Sequence, residues 1–122
     1  MRKQYYFRPS SRGYFAWDVD RLVSLTSGLR PRAVSLSDIA EIDEACHPEG
    51  HPTYREIAGH AKLIDEAELR FPIIMSAGGR VMDGMHRVMK ALNAGLATID
   101  AVVFEHDPPP DYVDVFPEQL PY

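Results

Sequence analysis

Between Thr53 and Phe104 the spacing of apolar residues changes period repeatedly, and that succession limits what the chain can fold into more firmly than any single motif. Tyr54, Ile57, Ala61 and Ile64 recur at helical intervals, Thr53 and Glu56 stand as a capping box, and the pattern runs to about Leu69. Phe71 to Met75 then reads as an apolar strand and Arg80-Val81-Met82 as a second one. Between them, Ser76-Ala77-Gly78-Gly79 offers the positive-φ residues of a tight hairpin. Met85, Val88, Met89, Leu92 and Leu96 return to helical spacing, Asn93-Ala94-Gly95 supplies the stop, and Thr98 to Phe104 closes the pattern as a β-branched strand. Helix, hairpin, helix, strand predicts an α+β fold, a small mixed sheet with helices packed on it.

The first half reads less sharply. Tyr5-Tyr6-Phe7 and Tyr14 to Trp17 fit strands or edge segments, Asp18 to Ser27 a short helix ending at Gly28, and Arg32 to Leu36 a strand. Ser37-Asp38 is placed to cap a helical turn through Ile39, Ile42 and Ala45, and Cys46 to Pro52 is a loop by its proline and glycine. A chain of 122 residues without repeats or a Gly/Ser linker is one domain, burying roughly two-thirds of its unfolded surface. Residues 1–104 form that domain, with a basic aromatic N-terminal segment. Residues 105–122 hold half of the ten prolines together with Tyr112, Val113, Val115, Phe116, Leu120 and Tyr122. Such a stretch resists helix and central strand yet is too apolar for a solvated tail. It reads as an extended strap lying on the domain or, in a homodimer, on a second subunit.

The net charge of −5 resides in that strap, which carries Glu105, Asp107, Asp111, Asp114 and Glu118 and no Lys or Arg. The rest of the chain balances, and its first sixteen residues carry Arg2, Lys3, Arg8 and Arg12 with no acid. Overall acidity therefore does not exclude a phosphate ligand. A lone thiol, Cys46, forms no internal bridge, and no apolar run reaches membrane-spanning or signal-peptide length, so a cytoplasmic protein with no membrane partner is expected.

The segment that best carries chemistry is Asp83-Gly84-Met85-His86-Arg87, which joins the second hairpin strand to a helix. A helix start presents unpaired N–H groups and partial positive charge, which favours an anion. Gly84 removes a side chain that would hold a phosphate off the backbone. His86 and Arg87 add donors in a first turn where a cation is unfavourable unless something offsets it. The bland alternative is that Asp83 is an ordinary N-cap pairing with Arg87 four residues on, and that His86 is a half-buried polar residue.

Strand, Asp-Gly-x-His-Arg at 83–87, an apolar helix ending Asn93-Ala94-Gly95-Leu96, and the strand at 98–104 together resemble the ParB/sulfiredoxin family, from about Val34 to Phe104 and most specifically from Phe71 onward. The resemblance implies a small single-domain fold of that type in a bacterial, cytoplasmic protein. It also implies a nucleotide, ATP or CTP with Mg²⁺, or another phosphorylated small molecule, at Gly84, Met85, His86 and Arg87. His60 and Lys62, on the helix before the hairpin, would reach toward the same site, since that helix contributes in relatives; the alternative is that both are solvated helix positions. If the chain is an enzyme, the implied reaction is phosphoryl transfer or nucleotide hydrolysis, with Asp83 and His86 as catalytic groups. The sulfiredoxins carry their catalytic cysteine where this chain has Met85, so sulfinic-acid reduction is not expected. ParB partitioning proteins carry a helix-turn-helix domain beyond this module, so sequence-specific chromosome partitioning by these residues alone is not expected. Free-serine kinases of the family use further acidic residues, for which Glu41, Asp43, Glu44 and Glu49 offer no clear match.

Cys46, His47, His51 and His60 lack the paired spacing of a structural zinc site, and no metal site is expected. Ser76 to Gly79 lacks the Walker ending, and Ser35 and Ser37 lack a nucleophile-elbow context. Arg2, Lys3, Arg8 and Arg12 among Tyr5, Tyr6, Phe7 and Tyr14 match the composition of single-strand nucleic-acid binders. A non-catalytic DNA-, RNA- or protein-binding accessory module is therefore the alternative function. The favoured reading of these residues is that the aromatics are core or edge positions and the arginines neutralise the strap.

Overall fold

A computed structural model of the chain describes residues 2–46 and 50–122. Tyr5–Pro9 (β1) and Tyr14–Asp18 (β2) form an antiparallel hairpin that leads into helix α1, Val19–Thr26, capped by the Asp18 carboxylate on the Asp20 N–H. Arg32–Ser35 (β3) is followed by two 3-10 turns, Leu36–Asp38 and Ala40–Asp43. Neither turn has a side-chain cap, so the cap expected from Ser37-Asp38 does not form. The later elements are α2 (Tyr54–Glu66), β4 (Ile73–Met75), β5 (Val81–Asp83), α3 (Met85–Asn93), β6 (Thr98–Val103) and β7 (Tyr112–Val115). Among the described residues no helix is long and apolar enough to cross a membrane.

The fold is α+β, with a mixed four-stranded sheet in the order β3-β6-β4-β5, where β4 runs parallel to β6, and a three-stranded antiparallel sheet β1-β2-β7. Alternation along the short strands gives the mixed sheet two apolar faces. Ile73, Met75, Val81, Ile99 and Ala101 pack with Val88 and Ala91 of α3 and with Leu36 and Ile39 of the 3-10 region. Ile74, Met82, Val102 and Phe104 pack on the other side with Trp17 and Leu22. Each fully buried Ile, Leu or Val contributes roughly 1.5–3 kcal/mol, so the mixed sheet, covered on both faces, is the rigid frame from which α3 starts.

The strap lies on its own chain. β7 pairs with β2, and the Pro108–Asp111 stretch covers the β2–α1 junction: the Trp17 indole donates to the Pro108 carbonyl at 2.8 Å, and the Asp18 N–H donates to Asp111 at 2.8 Å. Asp114, at φ 56, accepts from the Ser10 hydroxyl and the Arg12 N–H and so clamps the β1–β2 turn. Arg8 pairs with Asp107 at 3.3 Å and Arg21 with Asp111 at 3.1 Å, so basic residues near the N-terminus meet acids of the strap. A strand was not expected in this proline-rich stretch. It forms because Tyr112–Val115 is a proline-free window and because an edge position asks for only one row of hydrogen bonds.

α2 is a second departure. Its capping box forms, with the Glu56 N–H donating to the Thr53 hydroxyl at 3.1 Å, but the helix ends at Glu66 and buries no residue. Tyr54 is 94% exposed and Ile57 52%, so the stripe that sets the helical period is not a core face. The helix rests against α3 instead.

Candidate anion site at the start of the third helix

α3 begins at Gly84, its N-cap, whose φ of 104° and ψ of 23° suit glycine alone. A Cβ there would stand 2.7 Å from Ile73 Cγ2 and 3.0 Å from Arg87 Nη2. The space the missing side chain frees is thus filled by the protein's own groups, so glycine is required here for internal packing as well. Asp83 is the last residue of β5 and not the N-cap. With glycine at the cap there is no side-chain acceptor and the first turn holds no acidic residue, so the N–H groups of Met85, His86 and Arg87 have no protein acceptor among the described residues.

Arg87 folds back across this corner. Its Nη1 donates to the carbonyls of Phe71 at 3.1 Å and Pro72 at 2.9 Å, and its Nη2 to Asp83 at 3.0 Å. Both side chains of the ion pair are mostly buried, 17% and 20% exposed. Hydrogen bonds to a charged group contribute about 1.5–3 kcal/mol each, so Arg87 brackets the entry to β4 against the β5–α3 corner. The conflict of a cation in a first helical turn is resolved within the chain by Asp83. Three of the five guanidinium N–H groups are committed, which leaves two for another acceptor.

These residues form one end of a cavity of about 710 Å³, whose other walls include Lys3 and Tyr5 of β1, Phe71, and the C-terminal Tyr122. Lys3 is bound to Asp18 at 2.8 Å, and Tyr122 packs edge-on against Tyr5 with ring centroids 5.4 Å apart. His86 lines this cavity and also a second one of about 510 Å³, bounded by Ile42, Met85, Met89 and Leu92 with Glu41, Glu44, Cys46 and Arg80. His60 of α2 lines the second cavity, its Nδ1 2.9 Å from His86 Nε2. Burial of the His86 imidazole, reinforced by His60, holds its pKa below the usual histidine value.

The structure thus brings Asp83, Gly84, Met85, His86 and Arg87 to one cavity and adds His60 through its contact with His86. Met85 is partly buried against the core and contributes only its backbone N–H as a donor. Lys62 is not brought in: its side chain is 75% exposed and lies 3.9 Å from Glu66 on its own helix. Cys46 and His51 are exposed, no group of three His, Cys, Asp or Glu could hold a metal ion among the described residues, and His47 and Glu49 lie outside those residues.

Glu41 is the feature that sequence reading underrated. Its Oε2 accepts the Val81 N–H and lies 3.6 Å from Arg80 Nε, while its buried Oε1 has no hydrogen-bond partner. Arg80 also grips Glu44 through two bonds of 2.7 Å. The signal is the i,i+3 spacing of Glu41 and Glu44, the second of which closes the 3-10 turn with its N–H on the Glu41 carbonyl. Comparison with protein-family models, curated proteins and solved structures finds no match to this chain.

Proposed function

We propose that the chain binds a phosphorylated ligand, with a phosphate seated on the N–H groups of Met85, His86 and Arg87 at the start of α3. The observation that carries this reading is the cap itself: three adjacent N–H donors without acceptors at one end of a cavity whose volume falls within the usual range for small-molecule sites. The likeness of residues 83–87 to the ParB/sulfiredoxin motif favours a nucleotide such as ATP or CTP, and the same likeness is what supports a fold of that family.

In this reading Arg87 orients the corner and offers its two remaining N–H groups, and His86 adds a side-chain donor. Asp83 keeps Oδ1 for a ligand hydroxyl, because Oδ2 is held by Arg87. Mg²⁺, if bound, would be held by Asp83 and the ligand's phosphates, the usual mode for an ion that retains most of its water. Phosphoryl transfer or hydrolysis would use Asp83 as the adjoining base.

Calorimetric titration with pyrophosphate, ATP and CTP at fixed ionic strength tests the reading, comparing wild type with His86→Asp. A carboxylate in the first turn favours the helix and repels a phosphate, so the variant should fold at least as well and bind at least tenfold more weakly. No binding by the wild type, or equal binding by the variant, would remove the proposal. Of the four N-terminal cations on which the alternative of a nucleic-acid module rests, three are engaged within the chain, while the Arg12 side chain is exposed. Arg2 stacks on Tyr122, Lys3 is held by Asp18 and Asp20, and Arg8 lies over Trp17 and against Asp107.

A further inference from the structure

We infer that His60 is a positioning residue for the anion site: it accepts the Nε2–H of a protonated His86, so that anion binding at the start of α3 is coupled to uptake of one proton by the His60–His86 pair. This rests on the proposed anion site and adds to it a residue from another helix and a pH dependence.

The geometry admits one proton between the rings. At 2.9 Å, His60 Nδ1 and His86 Nε2 must be one donor and one acceptor. In the uncharged pair either ring can supply the hydrogen. When His86 carries both ring protons, its Nε2–H still donates to an unprotonated His60 Nδ1, so the contact survives the first proton and becomes a charge-assisted bond. A second proton would place two donors face to face and break it. The pair is therefore built to hold zero or one positive charge.

The surroundings leave that charge to be set by an anion. On α3, Lys90, one turn beyond His86, is spent on the carbonyls of Asp65 and Ala67, and Arg87 is held by Asp83 of β5. On α2, Glu56 lies one turn before His60, and Glu66 lies within reach of Lys62. Glu41 of the second 3-10 turn and Glu44 just after it share Arg80, which precedes β5, and the Cys46 thiol lines the same cavity as the two histidines. Across the larger cavity, Lys3 is matched by Asp18, and Glu68, which follows α2, by Arg70. With Arg80, Arg87, Lys3 and Lys90 engaged in this way, burial and the neighbouring His60 favour the neutral form of the His86 imidazole when no anion is bound. A dianion at the adjacent helix start supplies the opposite charge that favours a protonated His86, and His60 receives the resulting N–H. The sign follows: binding strengthens as pH falls through the range where the bound pair takes its proton, and levels off below it.

The probe is sulfate, a tetrahedral dianion that does not titrate between pH 5 and 8, measured against chloride at matched ionic strength. Binding is read by NMR at pH 6.0 and 7.5 in wild type, His60→Asn and His60→Leu, with the ring titrations of both histidines recorded without sulfate. Asn places an acceptor oxygen where Nδ1 stood; Leu has none. Wild type should bind several-fold to about tenfold more tightly at the lower pH, the limit for one proton being tenfold per pH unit. His60→Asn should retain most of that ratio and His60→Leu should lose most of it. Without sulfate, the wild-type rings should titrate as a coupled pair, each sensing the other. A pH ratio equal in all three proteins, or independent titration of the two rings, overturns the coupling while leaving the anion site standing. Absence of sulfate and pyrophosphate binding at both pH values removes the anion site and the coupling together.

Discussion

Replacing Gly84 by alanine tests whether the β5–α3 corner is built as described. Two separable costs arise. A residue with a Cβ at φ 104° costs about 1–2 kcal/mol or more relative to glycine. The new carbon would also lie 2.7 Å from Cγ2 of Ile73, a residue with no exposed surface, and 3.0 Å from the Arg87 guanidinium. Overpacking of this kind costs roughly 1–3 kcal/mol more. Gly95, at φ 73° with nothing near its missing Cβ, isolates the first cost. Urea unfolding should therefore show Gly95→Ala destabilised by about 1–2 kcal/mol and Gly84→Ala by about 2–5 kcal/mol. Ile73→Ala removes the clashing methyl, so in the double variant the loss should fall short of the sum of the singles by about 1–3 kcal/mol. Equal destabilisation at Gly84 and Gly95, or additivity of Gly84→Ala with Ile73→Ala, would refute the packing described for this corner.

Three further outcomes follow from other contacts. Trp17→Phe removes the indole donor to Pro108 and part of a buried ring, and should cost about 2–3 kcal/mol in urea unfolding. The Ser10 hydroxyl and the Arg12 N–H hold the Asp114 carboxyl below its usual pKa, so its contribution is present above the unfolded value and lost as pH falls through the lower folded value. Hydrogen exchange of β7 should accelerate below about pH 4 in wild type, and this step should disappear in Asp114→Asn, which tolerates the same backbone. Lys90→Met leaves the carbonyls of Asp65 and Ala67 without their donor, and should speed exchange along α2 while leaving the mixed sheet unchanged.

The second half of the chain was legible because each element there is local: a capping box, a glycine turn, an apolar period and a glycine stop all act within a few residues. In the turn, Gly79 alone takes positive φ, at 86°, and the Ser76 hydroxyl does the rest by accepting the Arg80 N–H. What sequence could not supply is long-range. The apolar stripe of α2 fixed its helicity without saying what it packs against, so Tyr54 and Ile57 stand exposed. β7 depends on the free edge of β2, nearly a hundred residues earlier in the chain. The ion pair of Asp83 with Arg87 was visible as an i,i+4 spacing, but the Arg87 bonds to the Phe71 and Pro72 carbonyls and the meeting of His60 with His86 arise only once β4 and α2 are placed beside α3. Lys62 fell on the wrong side of the helix that His60 shares, because reach toward a site is set by helix rotation and not by proximity in sequence.

An amide NMR titration with inorganic pyrophosphate bears most directly on the anion site. The resonances of Met85, His86 and Arg87 should move together, saturate along one binding curve, and stay fixed in His86→Asp. Shifts confined to the N-terminal arginines, or no saturable shift in the first turn of α3, would contradict a phosphate seated on those three amides.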